Sequence, residues 1–227
     1  MKVKCSICPH ACMLSDGQTG LCHARMNKDD EIICKNYGKL TSIALDPIEK
    51  KPLYRFFPGK KIFSVGSYGC NLKCPFCQNH EISMADDNEV KTYYTAPNFL
   101  INMALSMKSK GNIGIAYTYN EPLISYEYVR DCSILAHKHN LKNVLVTNGY
   151  VCQEPLLNLI PYIDAMNIDL KAFNDVFYKK LGGDLETVKN TIRVAAVKCH
   201  VEITTLIIPN ENDSVEEITN ASKWIAS

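Results

Sequence analysis

The sequence has almost no excess of charge of either sign: 25 Lys and Arg stand against 24 Asp and Glu, a net charge of +1. A general polyanion binder needs a surplus of basic contacts, so no nucleic-acid partner is expected. It also lacks any apolar run of the roughly eighteen residues that a membrane-spanning helix requires. Its start, Met1-Lys2-Val3-Lys4-Cys5, has no apolar signal-peptide core. Gly and Pro number only 11 and 10 among 227 residues, which excludes collagenous and low-complexity chains. What remains is a cytoplasmic globular chain, 46% hydrophobic and 22% charged, long enough for one core plus an appendage.

Cysteine is what the chain has in plenty, with 11 residues. In a reducing compartment clustered cysteines hold metal, and scattered ones pack as small apolar side chains. Cys5, Cys8, Cys12 and Cys22 form one group, Cys70, Cys74 and Cys77 a second, while Cys34, Cys132, Cys152 and Cys199 stand alone as core candidates.

Residues 1–60 hold 10 basic and 6 acidic residues and five cysteines without an amphipathic pattern, which suggests a small metal-binding, cysteine-rich appendage. From residue 61 to 227 apolar runs (Ile62–Val65, Ile113–Tyr119, Val144–Val146, Ala165–Ile168 and Val201–Ile208) alternate with helical stretches near 97–110, 123–140, 153–161, 185–198 and 214–226. Pro97, Pro122 and Pro155 sit where helices would start. This alternation predicts an α/β fold, a partial (βα) TIM-like barrel of parallel strands, since five units fit and eight do not. Active sites in such folds lie beyond the C-terminal strand ends. Here those ends carry Gly69-Cys70, Tyr119-Asn120-Glu121, Thr147-Asn148-Gly149, Asp169-Leu170-Lys171 and Pro209-Asn210, polar residues that should share one rim.

The loop after the first strand reads Cys70-x3-Cys74-x2-Cys77. Three thiolates leave a tetrahedral zinc site one ligand short, but they can hold three irons of a [4Fe–4S] cluster and leave the fourth open to a small ligand. Zinc remains the alternative if His80 or Glu81 completes the set. The spacing, with Phe76 directly before the third cysteine, resembles the radical S-adenosylmethionine (SAM) superfamily. That resemblance implies a partial barrel, a [4Fe–4S] cluster on Cys70, Cys74 and Cys77, and SAM cleaved reductively to a 5′-deoxyadenosyl radical. It further implies Phe76 near the adenine, Glu121 (with Asn120 in place of a family glycine) on the SAM ammonium, and Thr147 and Asn148 as the polar pair after the third strand. Asp169 would serve the ribose or ammonium, and Lys171 the SAM carboxylate. The family's activases carry a basic residue on the fifth strand, where this chain reads Glu202-Ile203-Thr204-Thr205-Leu206.

Cys5-x2-Cys8-x3-Cys12-x9-Cys22 offers four soft ligands, read as a structural site for zinc or an iron–sulfur cluster, with a second redox cluster and no metal as competing readings. His10 and His23 are candidate substitutes for a cysteine, although isolated histidines beside such clusters more often support a ligand or face solvent. With Cys5–Cys12, Gly17-x2-Gly20-x-Cys22-x2-Arg25, Asp46-Pro47-Ile48-Glu49-Lys50-Lys51-Pro52-Leu53-Tyr54, Phe57-Pro58-Gly59, Gly69-Cys70-Asn71, Cys77-Gln78-Asn79 and Tyr117–Pro122, the chain resembles the radical SAM enzyme of the AmmeMemoRadiSam system. The stretch Lys50–Phe57 interleaves cations and aromatics; it is read as chain wrapping the barrel with Phe56 and Phe57 tucked inwards, rather than as a nucleic-acid platform.

By that resemblance the protein is an enzyme that abstracts hydrogen from a protein glycyl residue or a small metabolite, with a flavodoxin or ferredoxin as reductant. An iron–sulfur electron-transfer or assembly protein without SAM chemistry is the alternative. The family normally runs longer, so this chain is expected to be a truncated form or to have its site completed by a partner.

Overall fold

Every apolar run after residue 60 becomes a strand of one sheet. The computed structural model describes all 227 residues. The amino-terminal part forms two short hairpins, β1 (Val3–Lys4) with β2 (Met13–Leu14) and β3 (Arg25–Lys28) with β4 (Glu31–Cys34), followed by β5 (Lys39–Leu40) and β6 (Ser42–Pro47). Then come β7 (Lys61–Gly66), the one-turn α1 (His80–Ser83), β8 (Tyr93–Tyr94), α2 (Pro97–Ser106), β9 (Asn112–Tyr117) and α3 (Tyr126–Lys138). The chain continues through β10 (Lys142–Thr147), α4 (Gln153–Leu159), β11 (Ala165–Asp169), α5 (Asp175–Leu181), α6 (Leu185–Ala196), β12 (His200–Thr204) and α7 (Val215–Ala226).

Strands β7, β9, β10, β11 and β12 pair side by side in that order, all parallel, and helices cover them as in a partial (βα) barrel. Strands β7, β9, β10 and β11 are buried almost end to end, which is why they read as near-continuous apolar runs instead of alternating ones, while the edge strand β12 is half-buried throughout. Outside them α2, α3, α4 and α6 bury Leu100, Ile101, Val129, Leu156, Val188 and Ile192 in the main core. Local chemistry fixes the helix ends: the Asp184 carboxylate accepts the Thr187 N–H at 2.7 Å to start α6, and Gly182, at φ +81°, ends α5.

The structure departs from the sequence reading in three places. The sheet gains a sixth strand, β6, antiparallel to β7, from the amino-terminal side of the boundary drawn at residue 60. Helix α5, a short element starting on an Asn174 cap, was not anticipated in the stretch before α6. The last strand ends at Thr204 and not at Ile208, because the Asn212 side chain draws the following loop aside through the Leu206 carbonyl and the Ile208 N–H.

Residues 48–60 connect the end of β6 to the start of β7, so they lie at the N-terminal end of the parallel strands. Ile48, Leu53 and Phe56 turn inwards there and pack on Ile62, Ala116, Val144 and Ala165, closing that end of the barrel with an apolar plug. The plug also fastens the far strand: the Glu202 carboxylate on β12 accepts the backbone N–H groups of Tyr54 and Arg55 at 2.8 and 2.9 Å. Phe56 is tucked in as expected, but Phe57 is 45% exposed. Its φ of +50° turns the chain into Pro58-Gly59 and leaves its ring edge-on against Phe56.

Candidate functional site

Opposite the plug, the C-terminal strand ends surround a cavity of about 320 Å³. Its lining brings together Cys70, Cys74, Phe76, Cys77, Asn120, Glu121, Thr147, Asn148, Asp169 and Lys171, every residue expected at the barrel rim for cluster or SAM. The volume is that of a drug-sized ligand pocket. The three-cysteine loop is pinned from several sides: Lys73 N–H donates to the Leu181 carbonyl, Gly69 N–H to the Ile82 carbonyl, and Asn71 Nδ2 to the Tyr150 carbonyl at 2.6 Å. Burial pushes the Cys74 thiol up to about 11, against the pull of the Lys171 charge, and burial together with the Glu121 charge raises Cys70 further. Such thiols are inert until a cation takes the place of the proton.

Glu121 is 3% exposed and its carboxylate is already engaged. It accepts the Leu123 N–H at 2.9 Å, the Thr147 hydroxyl at 2.7 Å and the Asn148 N–H at 2.8 Å. Burial nevertheless pushes its carboxyl up to about 7. Glu121 thus caps the turn after β9 and ties it to the end of β10. Asn148 continues the chain of contacts, its Nδ2 donating to Asn71 Oδ1 at 2.9 Å and lying 3.6 Å from Cys70 Sγ. Asn120 is committed to its own turn: Oδ1 accepts the Ser67 N–H, and Nδ2 reaches the Tyr68 and Gly69 carbonyls.

Asp169 and Lys171 form an ion pair of 2.6 Å on the cavity wall. Burial disfavours the Lys171 ammonium, but the Asp169 charge and hydrogen bond outweigh it and hold its pKa above the ordinary lysine value. Phe76, half-buried, lies parallel to Phe177 with centroids 6.0 Å apart.

Sequence reasoning assigned no role to the group beneath the cavity. Tyr119, held at φ +74°, sends its hydroxyl down to Asp46 at 2.7 Å, and Lys51, 2% exposed, donates to the same carboxylate oxygen at 2.9 Å while lying over the Tyr119 ring. Burial alone would raise the Asp46 carboxyl, yet the Lys51 and Tyr119 hydrogen bonds hold it well below the usual carboxylate range. The signal was the Asp46-Pro47-Ile48-Glu49-Lys50-Lys51 segment, whose acid and base five residues apart gave no hint of meeting inside a barrel. Ser83 was also missed; its hydroxyl lies 3.1 Å from Cys77 Sγ.

The four amino-terminal cysteines line a separate small cavity with Arg25 and Ile124. In neither cysteine set do the sulfurs stand converged on a common point; both are gathered around a cavity instead. Of the four isolated cysteines only Cys132 is fully buried, and Cys34, Cys152 and Cys199 are half-buried. No helix is long and apolar enough to cross a membrane.

A family pattern described as the radical SAM superfamily matches residues 64–221. An uncharacterized protein of Methanocaldococcus jannaschii is 39% identical over 218 residues, covering 96% of this chain and 64% of its own. The pyruvate formate-lyase 1-activating enzyme of Escherichia coli K12 is 26% identical over 51% of this chain and 47% of its own. Among solved folds, Streptococcus suis SuiB bound to S-adenosylmethionine superposes with a TM-score of 0.54 at 16% identity, over 70% of this chain and 36% of that one. The chain therefore spans less than two thirds of the length of the relatives it matches.

Proposed function

The chain belongs to the radical SAM superfamily, and from that premise we propose that it is an enzyme whose barrel cavity holds a [4Fe–4S] cluster on Cys70, Cys74 and Cys77 with SAM beside it. The observation that carries this reading is the single cavity on which three thiols and the polar ends of β9, β10 and β11 converge. Three soft donors on one loop suit a cluster with one open iron, and about 320 Å³ suits a ligand of SAM's size. Bound there, cluster and cofactor would supply 5′-deoxyadenosyl radical chemistry for hydrogen abstraction from a protein glycyl residue or a small metabolite.

The chain's own residues supply placement. Lys171 offers a cation to the SAM carboxylate, and Asp169 an acceptor to its ammonium or ribose hydroxyls; their ion pair opens to meet a zwitterion of matching charges. Phe76 presents an aromatic face for the adenine. Glu121 acts mainly as a clamp, fixing Thr147 and Asn148, while the Asn148 amide and the Ser83 hydroxyl direct polar hydrogens at the sulfurs of Cys70 and Cys77. The plug at the other end keeps bulk water from the barrel interior, as radical chemistry requires. A flavodoxin or ferredoxin is the fitting electron donor, in the cytoplasm. The likeness to the AmmeMemoRadiSam radical SAM enzyme is the finer reading of the family.

The test is anaerobic reconstitution with iron and sulfide, reduction, and addition of SAM. An electron paramagnetic resonance signal altered by SAM, with 5′-deoxyadenosine released, is the expected result. A cluster indifferent to SAM would instead mark an iron–sulfur electron-transfer or assembly protein.

A further inference from the structure

The amino-terminal lobe contains a second constellation that the barrel chemistry does not use. Cys5, Cys8, Cys12 and Cys22 come from irregular chain, yet all four line one small cavity. Three of them are buried. Four reduced thiols packed together are ordinary enough as a small apolar core. One further feature is not explained by packing.

Arg25 is only 4% exposed and lines the same cavity. Its two terminal nitrogens fork onto the Glu127 carboxylate, but Nε is buried without any hydrogen-bond partner. A buried, unpartnered N–H is costly and calls for an acceptor. Glu127 takes the two terminal nitrogens, so the acceptor that Nε lacks must come from the cavity that Arg25 lines. A divalent ion held by four thiolates fits, since it leaves sulfurs that are strong acceptors with only partly neutralised charge.

We infer that Cys5, Cys8, Cys12 and Cys22 bind one divalent metal ion of the zinc type as a tetrathiolate, with Arg25 Nε–H donating to a ligand sulfur. The small size of the cavity favours one ion over a cluster. It measures about 10 Å³, against the ~10–15 Å³ that a single water needs, whereas an iron–sulfur cubane has eight core atoms to accommodate. Cys34, the remaining cysteine of the lobe, is not a ligand: its thiol donates to Asn36 Oδ1 at 3.1 Å and it does not line the cavity.

The site also has a place in the architecture. His10 Nε2–H donates to the Asn71 carbonyl at 2.7 Å, and Cys152 N–H donates to the Ile7 carbonyl at 2.9 Å. Gly69 has no side chain because the Cys22 carbonyl lies 2.3 Å from where a Cβ would be. The ion therefore braces the underside of the three-cysteine loop. This inference is independent of SAM chemistry and can fail or succeed separately from it.

The experiment uses the full chain carrying Cys70→Ala, Cys74→Ala and Cys77→Ala, purified under reducing conditions, so that any bound metal belongs to the amino-terminal lobe. Elemental and sulfide analysis is expected to find about one zinc per chain, or one iron without sulfide, and no cluster. Exchange with Co²⁺ is expected to give the visible bands of a tetrahedral tetrathiolate, read with all four ligands intact. Adding Cys8→Ala and Cys22→Ala should remove both the metal and those bands. Absence of metal and of a cobalt spectrum, or iron accompanied by equimolar sulfide, overturns the inference.

Discussion

Tyr54 and Glu202 lie 148 positions apart in sequence, yet the backbone N–H of one meets the carboxylate of the other at 2.8 Å. This contact and the Arg55 N–H beside it fasten the last strand of the barrel to the plug that precedes the first. His200 Nε2 lies 2.8 Å from the same carboxylate.

Glu202→Ala is therefore expected to destabilise the protein by about 1.5–3 kcal/mol, the range for hydrogen bonds to a charged acceptor. Glu202→Gln keeps one acceptor and should lose less. Chemical denaturation of the two variants, with unchanged m-values, checks the ordering.

Asp46→Asn leaves Lys51 buried without its counter-charge and should cost about 3–5 kcal/mol. The pH dependence gives a second readout. Asp46 titrates at 3.8 when unfolded and lower when folded, so its contribution is fully present above 3.8 and is lost as pH falls through the depressed folded value. Melting temperatures from pH 5 downwards should drop less steeply in the variant than in the parent. Equal acid slopes would count against the pairing.

Glu121 runs the other way. Its carboxyl is raised from 4.5 to about 7, so between these values the folded state binds the extra proton and stability falls as pH rises. Glu121→Gln should flatten that dependence. It should also disturb Thr147 and Asn148, since one amide edge cannot accept the Asn148 N–H, and SAM binding measured by equilibrium dialysis should weaken.

Cys74→Ala is expected to abolish iron loading in the barrel and all release of 5′-deoxyadenosine, while leaving the metal content of the amino-terminal lobe unchanged. Retained cleavage would refute the ligand assignment.

Much of this was legible in the sequence for a physical reason. Parallel strands are buried on both faces, so Ile113–Tyr119 and Val144–Val146 stood out as unbroken apolar runs, and Cys70, Thr147 and Asp169 fell at their ends. Strand β6 was hidden because Ser42–Pro47 pairs at an edge and is only half-buried. The Asp46–Lys51–Tyr119 cluster was hidden because it exists only once the barrel closes and brings residues 73 positions apart into one hydrogen bond. Glu121 was identified as important, but its contacts with Thr147 and Asn148 are visible only in three dimensions.

The plug has a consequence for how the protein is made. It leaves the ribosome before any of the parallel strands it will fill, and Glu202 follows 148 residues after Tyr54. At ~5–20 residues per second that interval is roughly 7–30 s. Throughout it, Leu53 and Phe56 have no completed barrel to enter, so the nascent chain carries an apolar segment of the kind that holdase chaperones bind. Translation speed across β9 to β12 thus becomes a determinant of yield, and slow codons in that stretch should favour aggregation over folding.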